Sequence, residues 1–399
     1  MNQKAQSILI KNMKIYTADK IIEKGFIKIH REKIIDLGLM NHLIKEDGYR
    51  IIDMPAHYAA IPGLIDLHIH GVNGSDVMDG TVEALANITE TLPSEGTTSF
   101  LATTITQSVE AIENAVKNAG SYIEKQSPSG KAEILGLHLE GPFINPKRAG
   151  AQPEKYIVDP DLNLLKRWQT LSKNHVKLVT LAPEQQGGMQ MVDYLIRNGI
   201  TASIGHSDAT YNETIEAIEA GVSHVTHLFN QMKGLHHREP GVVGAALLRE
   251  DVKAELIVDG IHVRPEIVQL AYKQKGKDGI VLITDSMRAK CLKSGSYDLG
   301  GQEVIVTNGK AVLKDGTLAG SVLKLGNALK NMISYTGCSL QDAIRMAAVN
   351  PAKQIKIFDR KGSLEIGKDA DIVILDEQLD IVMTFTRGKL AFQKEGFVF

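Results

Sequence analysis

The 399-residue chain has only two cysteines, Cys291 and Cys338, too few for a disulfide framework or a four-sulfur zinc site. Such usage fits a reducing cytoplasm, with each cysteine an inert small residue. Charge of one sign is lacking too: 45 lysines and arginines stand against 47 aspartates and glutamates, a formal balance of −2. That leaves no electrostatic case for a nucleic-acid or anionic-membrane partner. No apolar run approaches a bilayer span, and the opening residues 1–7 lead into an alternating segment rather than the apolar stretch of a secretion signal. Internal repeats, low-complexity linkers and blocks of like charge are absent. What remains, 43% apolar and 23% charged, is the composition of a soluble cytoplasmic enzyme with one large domain and a smaller one.

Hydrophobic periodicity divides the chain in three. Residues 8–16, 26–30, a segment from Ile34 and residues 50–54 read as short strands, with at most a helix at 40–45. From Leu64 the pattern becomes strands alternating with helices. The strands are 64–70, 97–104, 134–140, 176–181, 202–206, 224–227, 254–258 and 280–285. Helical patterns lie at 82–92, 109–122, 162–171, 191–198, 212–220 and 265–275, with Thr81 and Asp161 where N-caps are wanted. Eight such strands over about 220 residues imply an α/β protein with a closed (β/α)8 TIM-like barrel. An open doubly wound sheet shares the periodicity, but no glycine-rich nucleotide loop follows the first strand. A glycine-rich, hairpin-like insertion at 300–320 precedes helices at 322–335 and 340–348, and residues 370–375 and 381–386 are β-like again. The expectation is a barrel over residues 61–356 and a discontinuous small β-sandwich domain built from 1–60 and 357–399.

Polar residues collect where apolar strands end. Strand side chains alternate, so Asp66, His68 and His70 share one face of a strand that should otherwise be apolar. Two imidazoles so spaced can reach one divalent cation. The third strand ends in Leu139-Glu140-Gly141-Pro142, the fifth in Gly205-His206-Ser207-Asp208, the sixth in Thr226-His227 and the eighth in Thr284-Asp285. In a barrel these carboxyl ends face one active site. Taken singly, each has a bland reading, Glu140 as a solvated carboxylate, His206 or Asp285 as a helix cap; at five strand ends together, a metal centre is the better reading. His138 shares a face with Glu140 and reads as a support for the site or as a core histidine. His224, three residues before His227, faces the other way and reads as structural.

These strings, with Thr226-His227-Leu228-Phe229-Asn230-Gln231-Met232, Arg238-Glu239-Pro240-Gly241, Asp259-Gly260-Ile261-His262 and Asp315-Gly316-Thr317-Leu318-Ala319-Gly320-Ser321, resemble the amidohydrolase superfamily. Within it, the sequence is similar to the family of N-acetylglucosamine-6-phosphate deacetylases over nearly its whole length. The resemblance implies metal-dependent hydrolysis of a phosphorylated N-acetyl amino sugar. It assigns Glu140, His206 and His227 to the main metal, His68 and His70 to a second, and Asp285 to the proton shuttle. One or two divalent ions per subunit, zinc or iron, are implied. Ala151, Gln152, Asn230, Gln231, Arg238, His262, Leu318, Ala319 and Gly320 would bind substrate, with Arg238 forking onto the phosphate. Gln152 departs from the pattern, since some relatives carry a histidine there. A homodimer is implied, with Arg264 as a residue reaching the neighbouring site. Lys233, His236 and His237 read as a solvated basic loop. A cyclic amidase or deaminase of the same superfamily, and a non-catalytic metal-binding scaffold, are the competing readings. Arg238 and the Glu140 string argue against the first, the intact ligand set and Asp285 against the second.

Overall fold

The computed structural model describes residues 7–127 and 130–397. The opening Met1 to Gln6, read above as no secretion signal, lie outside them. Leu64–Ile69, Thr97–Thr104, Glu133–Glu140, Val176–Leu181, Thr201–Ile204, His224–Val225, Lys253–Ile257 and Ile280–Ile283 form one eight-stranded sheet in chain order. Every neighbouring pair is parallel. Ile69 pairs in parallel with Ser286, and Asp285 N–H donates to the His68 carbonyl at 2.8 Å, so the last strand returns to the first. The barrel is nearly closed, as the alternating pattern predicts.

Helices cover the outside for reasons visible in the sequence. Thr81 accepts from the N–H of Ala84 at 3.2 Å and opens the helix Val82–Thr91; Asp161 accepts from Asn163 at 2.7 Å and opens Leu162–Leu171. In the second of these Leu165 and Trp168 face inward, and the Trp168 ring stacks on Phe143 at 5.4 Å between centroids. The large core runs from these helices through the strands to Leu325, Leu329 and Met332 of the helix Leu325–Thr336.

The β-rich ends form one hydrogen-bonded sheet rather than remaining apart. Its order is Lys389–Gln393, Ile381–Thr386, Ile372–Leu375, Ala59–Pro62, Ser7–Tyr16, Ile21–His30 and Lys33–Leu39, with Arg50–Asp53 also on Ser7–Tyr16. Ala59–Pro62 pairs antiparallel with Ile372–Leu375, so residues some three hundred apart in the chain are joined where the barrel begins and ends. This sheet has its own core, including Ile10, Met13, Ile29, Ile374 and Phe385. The glycine-rich insertion is a three-stranded antiparallel unit, Gly295–Leu299, Gln302–Thr307 and Lys310–Val312, packed through Leu299, Val304 and Val306 on Ile105 and Met287. It flanks the mouth of the barrel.

Candidate active site

His68 lies within the first barrel strand and His70 just beyond it, both buried; Glu140 closes the third. His206, His227 and Asp285 come two residues after Ile204, Val225 and Ile283, where their strands stop. The strands are shorter than the periodicity suggests because the chain turns sharply there. His206, His227 and Asp285 have φ of 48°, 29° and 47°, and Phe229 and Gln231 follow at 79° and 48°. Side-chain-bearing residues seldom adopt this region, at a cost of about 1–3 kcal/mol each. The cost is sustained by the surroundings: Ser321 N–H donates to the Asp285 carbonyl at 2.7 Å and His227 N–H to Glu255 Oε2 at 3.1 Å. Gly205 is required before His206, since a Cβ there would lie 2.6 Å from Thr226 Cβ and 2.7 Å from Thr180 Cγ2.

Glu140 sits at the centre. Its Oε1 is 3.1 Å from His227 Nε2 and 3.3 Å from both His206 Nε2 and His68 Nε2, while Oε2 is 3.2 Å from His70 Nε2. Asp285 Oδ1 is 3.4 Å from His68 Nε2 and 3.2 Å from His70 Nε2. The Nε2 atoms of His206 and His227 face each other at 3.1 Å, a separation at which both cannot carry a proton. His206 donates its Nδ1–H to the Arg148 carbonyl at 2.7 Å, which leaves Nε2 as a lone pair. His68 Nε2 is buried without a hydrogen-bond partner despite the two nearby carboxylate oxygens. Ligand atoms about 2.0–2.1 Å from a tetrahedral ion stand about 3.3 Å apart. The two donor sets, Glu140 with His206 and His227, and His68 with His70 and Asp285, therefore fit divalent cations.

The carboxylates that would draw a cation draw protons onto these imidazoles. Burial alone would depress His70, but hydrogen bonds to Asp285 and Glu140 reverse this and lift it to about 10. His68 and His227 are raised against burial by the same carboxylates. Burial would raise Glu140, yet the His68 charge and the contacts from His206 and His227 hold it well below the usual carboxylate range. Asp285 is likewise lowered, burial being outweighed by His68 and His70, so it stands ionised and able to accept a proton. His138 behaves differently. Burial, reinforced by His68, drives it down to about 3; its Nδ1 faces the Leu67 carbonyl at 3.2 Å and its Nε2 the Thr180 hydroxyl at 2.7 Å. It is a satisfied core histidine beneath the site.

A cavity of about 260 Å³ opens onto these groups, reaching His70, Glu140, His206, His227 and Asp285. Ala151, Gln152, Asn230, Gln231, His262, Leu318 and Gly320 line it as the motifs suggest; Ile105, Leu299 and Thr317 line it without having been singled out from sequence. Gln152 donates from Nε2 to Glu140 Oε2 at 2.8 Å and accepts the Thr106 N–H on Oε1 at 2.8 Å. His262 is held through Nδ1 by Asp259 Oδ2 at 2.7 Å. Ala319 is buried outside the lining. Arg238 is exposed, also outside the lining, with Nη1 2.8 Å from His237 Nε2. Arg264 pairs with Glu266 in solvent, and His236 and His237 are exposed as a basic loop would be.

Glu255 escapes the sequence reading altogether. Fully buried, it faces His68 Nδ1 at 2.9 Å and His224 Nε2 at 3.0 Å, so His224 reaches the site's support and is not merely a residue of the far face. A charged residue inside a barrel strand is the signal that marks it.

The sequence profile described as "Amidohydrolase family" matches residues 59–395. The N-acetylglucosamine-6-phosphate deacetylase of Bacillus subtilis (strain 168) is 46% identical over 390 residues, 97% of this chain and 98% of that protein. The N-acetylgalactosamine-6-phosphate deacetylase of Escherichia coli O157:H7 is 37% identical over 371 residues, 93% of this chain and 97% of that one. A solved structure of a mutant N-acetyl-D-glucosamine-6-phosphate deacetylase from Mycobacterium smegmatis, in complex with N-acetyl-D-glucosamine-6-phosphate, superposes with a TM-score of 0.91 at 28% identity, covering 97% of this chain and 100% of that one.

Proposed function

The chain belongs to the amidohydrolase family, and we propose that it hydrolyses N-acetyl-D-glucosamine 6-phosphate to D-glucosamine 6-phosphate and acetate, in amino-sugar catabolism or cell-wall recycling. The observation that carries this is one buried centre of four imidazoles around Glu140, with Asp285 beside it, on a chain so similar to a deacetylase over nearly its full length.

An amide is a weak electrophile with a poor leaving group, so its hydrolysis needs an activated water, a polarised carbonyl and a proton for the amine. A bound zinc or iron ion supplies the first two. Glu140, His206 and His227 would hold it, and His68 and His70 would offer a second position. Asp285 takes the proton of the attacking water and returns it to the nitrogen as the C–N bond breaks, acting as base and then as acid. Gln152 spends one N–H on Glu140 and keeps the other for the substrate's carbonyl or sugar oxygen.

His262, Asn230 and Gln231 bind hydroxyl and phosphate oxygens, with Ala151, Leu318 and Gly320 shaping the walls and Ala319 packed behind them. Arg238, exposed beside this loop, acts on the phosphate across a homodimer rather than within its own chain, and Arg264, exposed and paired with Glu266, is a second residue for that contact. The reaction is placed in the cytoplasm, which suits two unpaired cysteines. Among the described residues no helix is long and apolar enough to cross a membrane.

The test is acetate release from N-acetylglucosamine 6-phosphate, its C4 epimer and the unphosphorylated sugar. The reading predicts the highest kcat/KM for the first; release from none of the three would overturn it.

A further inference from the structure

Glu255 is a buried charge that the reaction above does not use. It lies mid-strand in Lys253–Ile257, between Ala254 and Leu256, and is fully buried. An isolated carboxylate in such a place is costly, so its partners define its purpose. There are three. Oε2 lies 2.9 Å from His68 Nδ1 and accepts the His227 N–H at 3.1 Å; Oε1 lies 3.0 Å from His224 Nε2. His68 belongs to one donor set and His227 to the other, on the first and sixth strands of the barrel. One side chain therefore touches both halves of the centre from behind.

We propose that Glu255 is a positioning residue that sets the cation centre, by fixing the tautomer of His68 and the backbone of His227. This rests on the reading of those two histidines as cation ligands. An ionised carboxylate only accepts hydrogen bonds, so each of its partners must present a hydrogen. As a cation ligand His68 must then carry its one proton on Nδ1, which leaves Nε2, the atom without a hydrogen-bond partner, as the lone pair on the side of Glu140 and Asp285. The same oxygen holds the N–H of His227, a residue at a strained φ of 29°. His224 donates from Nε2 to the other oxygen and braces the carboxylate from outside. Its negative charge also strengthens the imidazole as a ligand.

Two variants separate charge from geometry. In Glu255→Gln the amide oxygen can keep the place shared by His68 and His227 while the NH₂ donates to His224 Nε2, whose proton moves to the unpartnered Nδ1, so charge is lost and the acceptor kept. In Glu255→Leu the acceptor goes as well. Each protein, stripped of metal and checked for fold by circular dichroism, is titrated with Zn²⁺ against a chromophoric chelator. The His68 tautomer is read from ¹⁵N chemical shifts of the ring in the Zn²⁺-loaded protein. Affinity should fall about 10-fold or more in Glu255→Gln and further in Glu255→Leu, within the roughly 10–100-fold range of such outer partners. The Nδ1-protonated signature should persist in the former and be lost in the latter. Should Glu255→Leu not fold, the affinity of Glu255→Gln decides. Wild-type affinity and tautomer in the folded variants would overturn the proposal. Failure of the wild-type protein itself to bind Zn²⁺, or unchanged binding in His206→Asn, would instead overturn the reading of the site on which it rests.

Discussion

Asp285 meets His68 and His70 through a single oxygen and reaches the cavity directly, which places it between the histidine cluster and the open space. Asp285→Asn removes the group that moves the proton while keeping its size. Turnover is expected to fall by about 10²–10⁴-fold or more, with the ion at Glu140, His206 and His227 retained. Parallel acetate and metal measurements check this, and surviving activity would remove Asp285 from the proton path. At this scale the site was legible from sequence wherever a polar residue followed an apolar strand, as with Glu140, His206 and Asp285. Glu255 was not. Lys253-Ala254-Glu255-Leu256-Ile257 begins by alternating charged and apolar residues, the pattern of a half-exposed strand. What buries Glu255 is His68, 187 residues earlier, a pairing that only the closed barrel brings about.

Among the elements, the seam between barrel and terminal sheet turns on Lys361. It is buried, 2.8 Å from Glu133 at the start of the third barrel strand and 3.2 Å from Asp369, and in contact with Asp371 ahead of Ile372–Leu375. Lys361→Met would leave three carboxylates facing one another and should cost about 3–5 kcal/mol, read as a lowered denaturant midpoint at pH 7. The pH dependence has a defined sign. Burial would raise Glu133 and Asp369, but Lys361 and Arg360 hold both below their ordinary values. Their contribution is complete above the unfolded values near 4 and is lost as pH falls through the lower folded values. Asp371, raised by burial, opposes this in part. Wild-type stability should therefore drop on acidification below about pH 4.5, and the drop should shrink or invert in Lys361→Met, whose carboxylates titrate upward. A variant with the wild-type pH profile would contradict this account of the seam. Elements were legible where periodicity or caps spoke. Gly241–Leu248 was missed because it is apolar on every side, with seven of its residues buried, and so has no polar face to reveal a helical period.

For the whole molecule, the sequence pattern foretold the barrel, while the junction of Ile69 with Ser286 and the pairing of Ala59–Pro62 with Ile372–Leu375 depend on contacts across hundreds of residues. Arg238 shows the same limit from the other side: its motif suggests phosphate, yet within one chain it stands in solvent. If it serves a neighbour, Arg238→Ala should raise KM for the phosphorylated sugar at least about 10-fold, the scale of one lost charge-assisted contact, and leave the unphosphorylated sugar unaffected. Sedimentation should show a dimer in both proteins. A monomeric, fully active wild type would exclude that arrangement. The central claim is that the Glu140-centred cation site drives deacetylation. It is tested most directly by stripping the protein with a chelator and adding back Zn²⁺ stepwise, following bound metal and acetate release together. The account predicts negligible release from the stripped protein and a plateau between one and two ions per chain. Full activity without metal, or saturated metal without acetate, would contradict it.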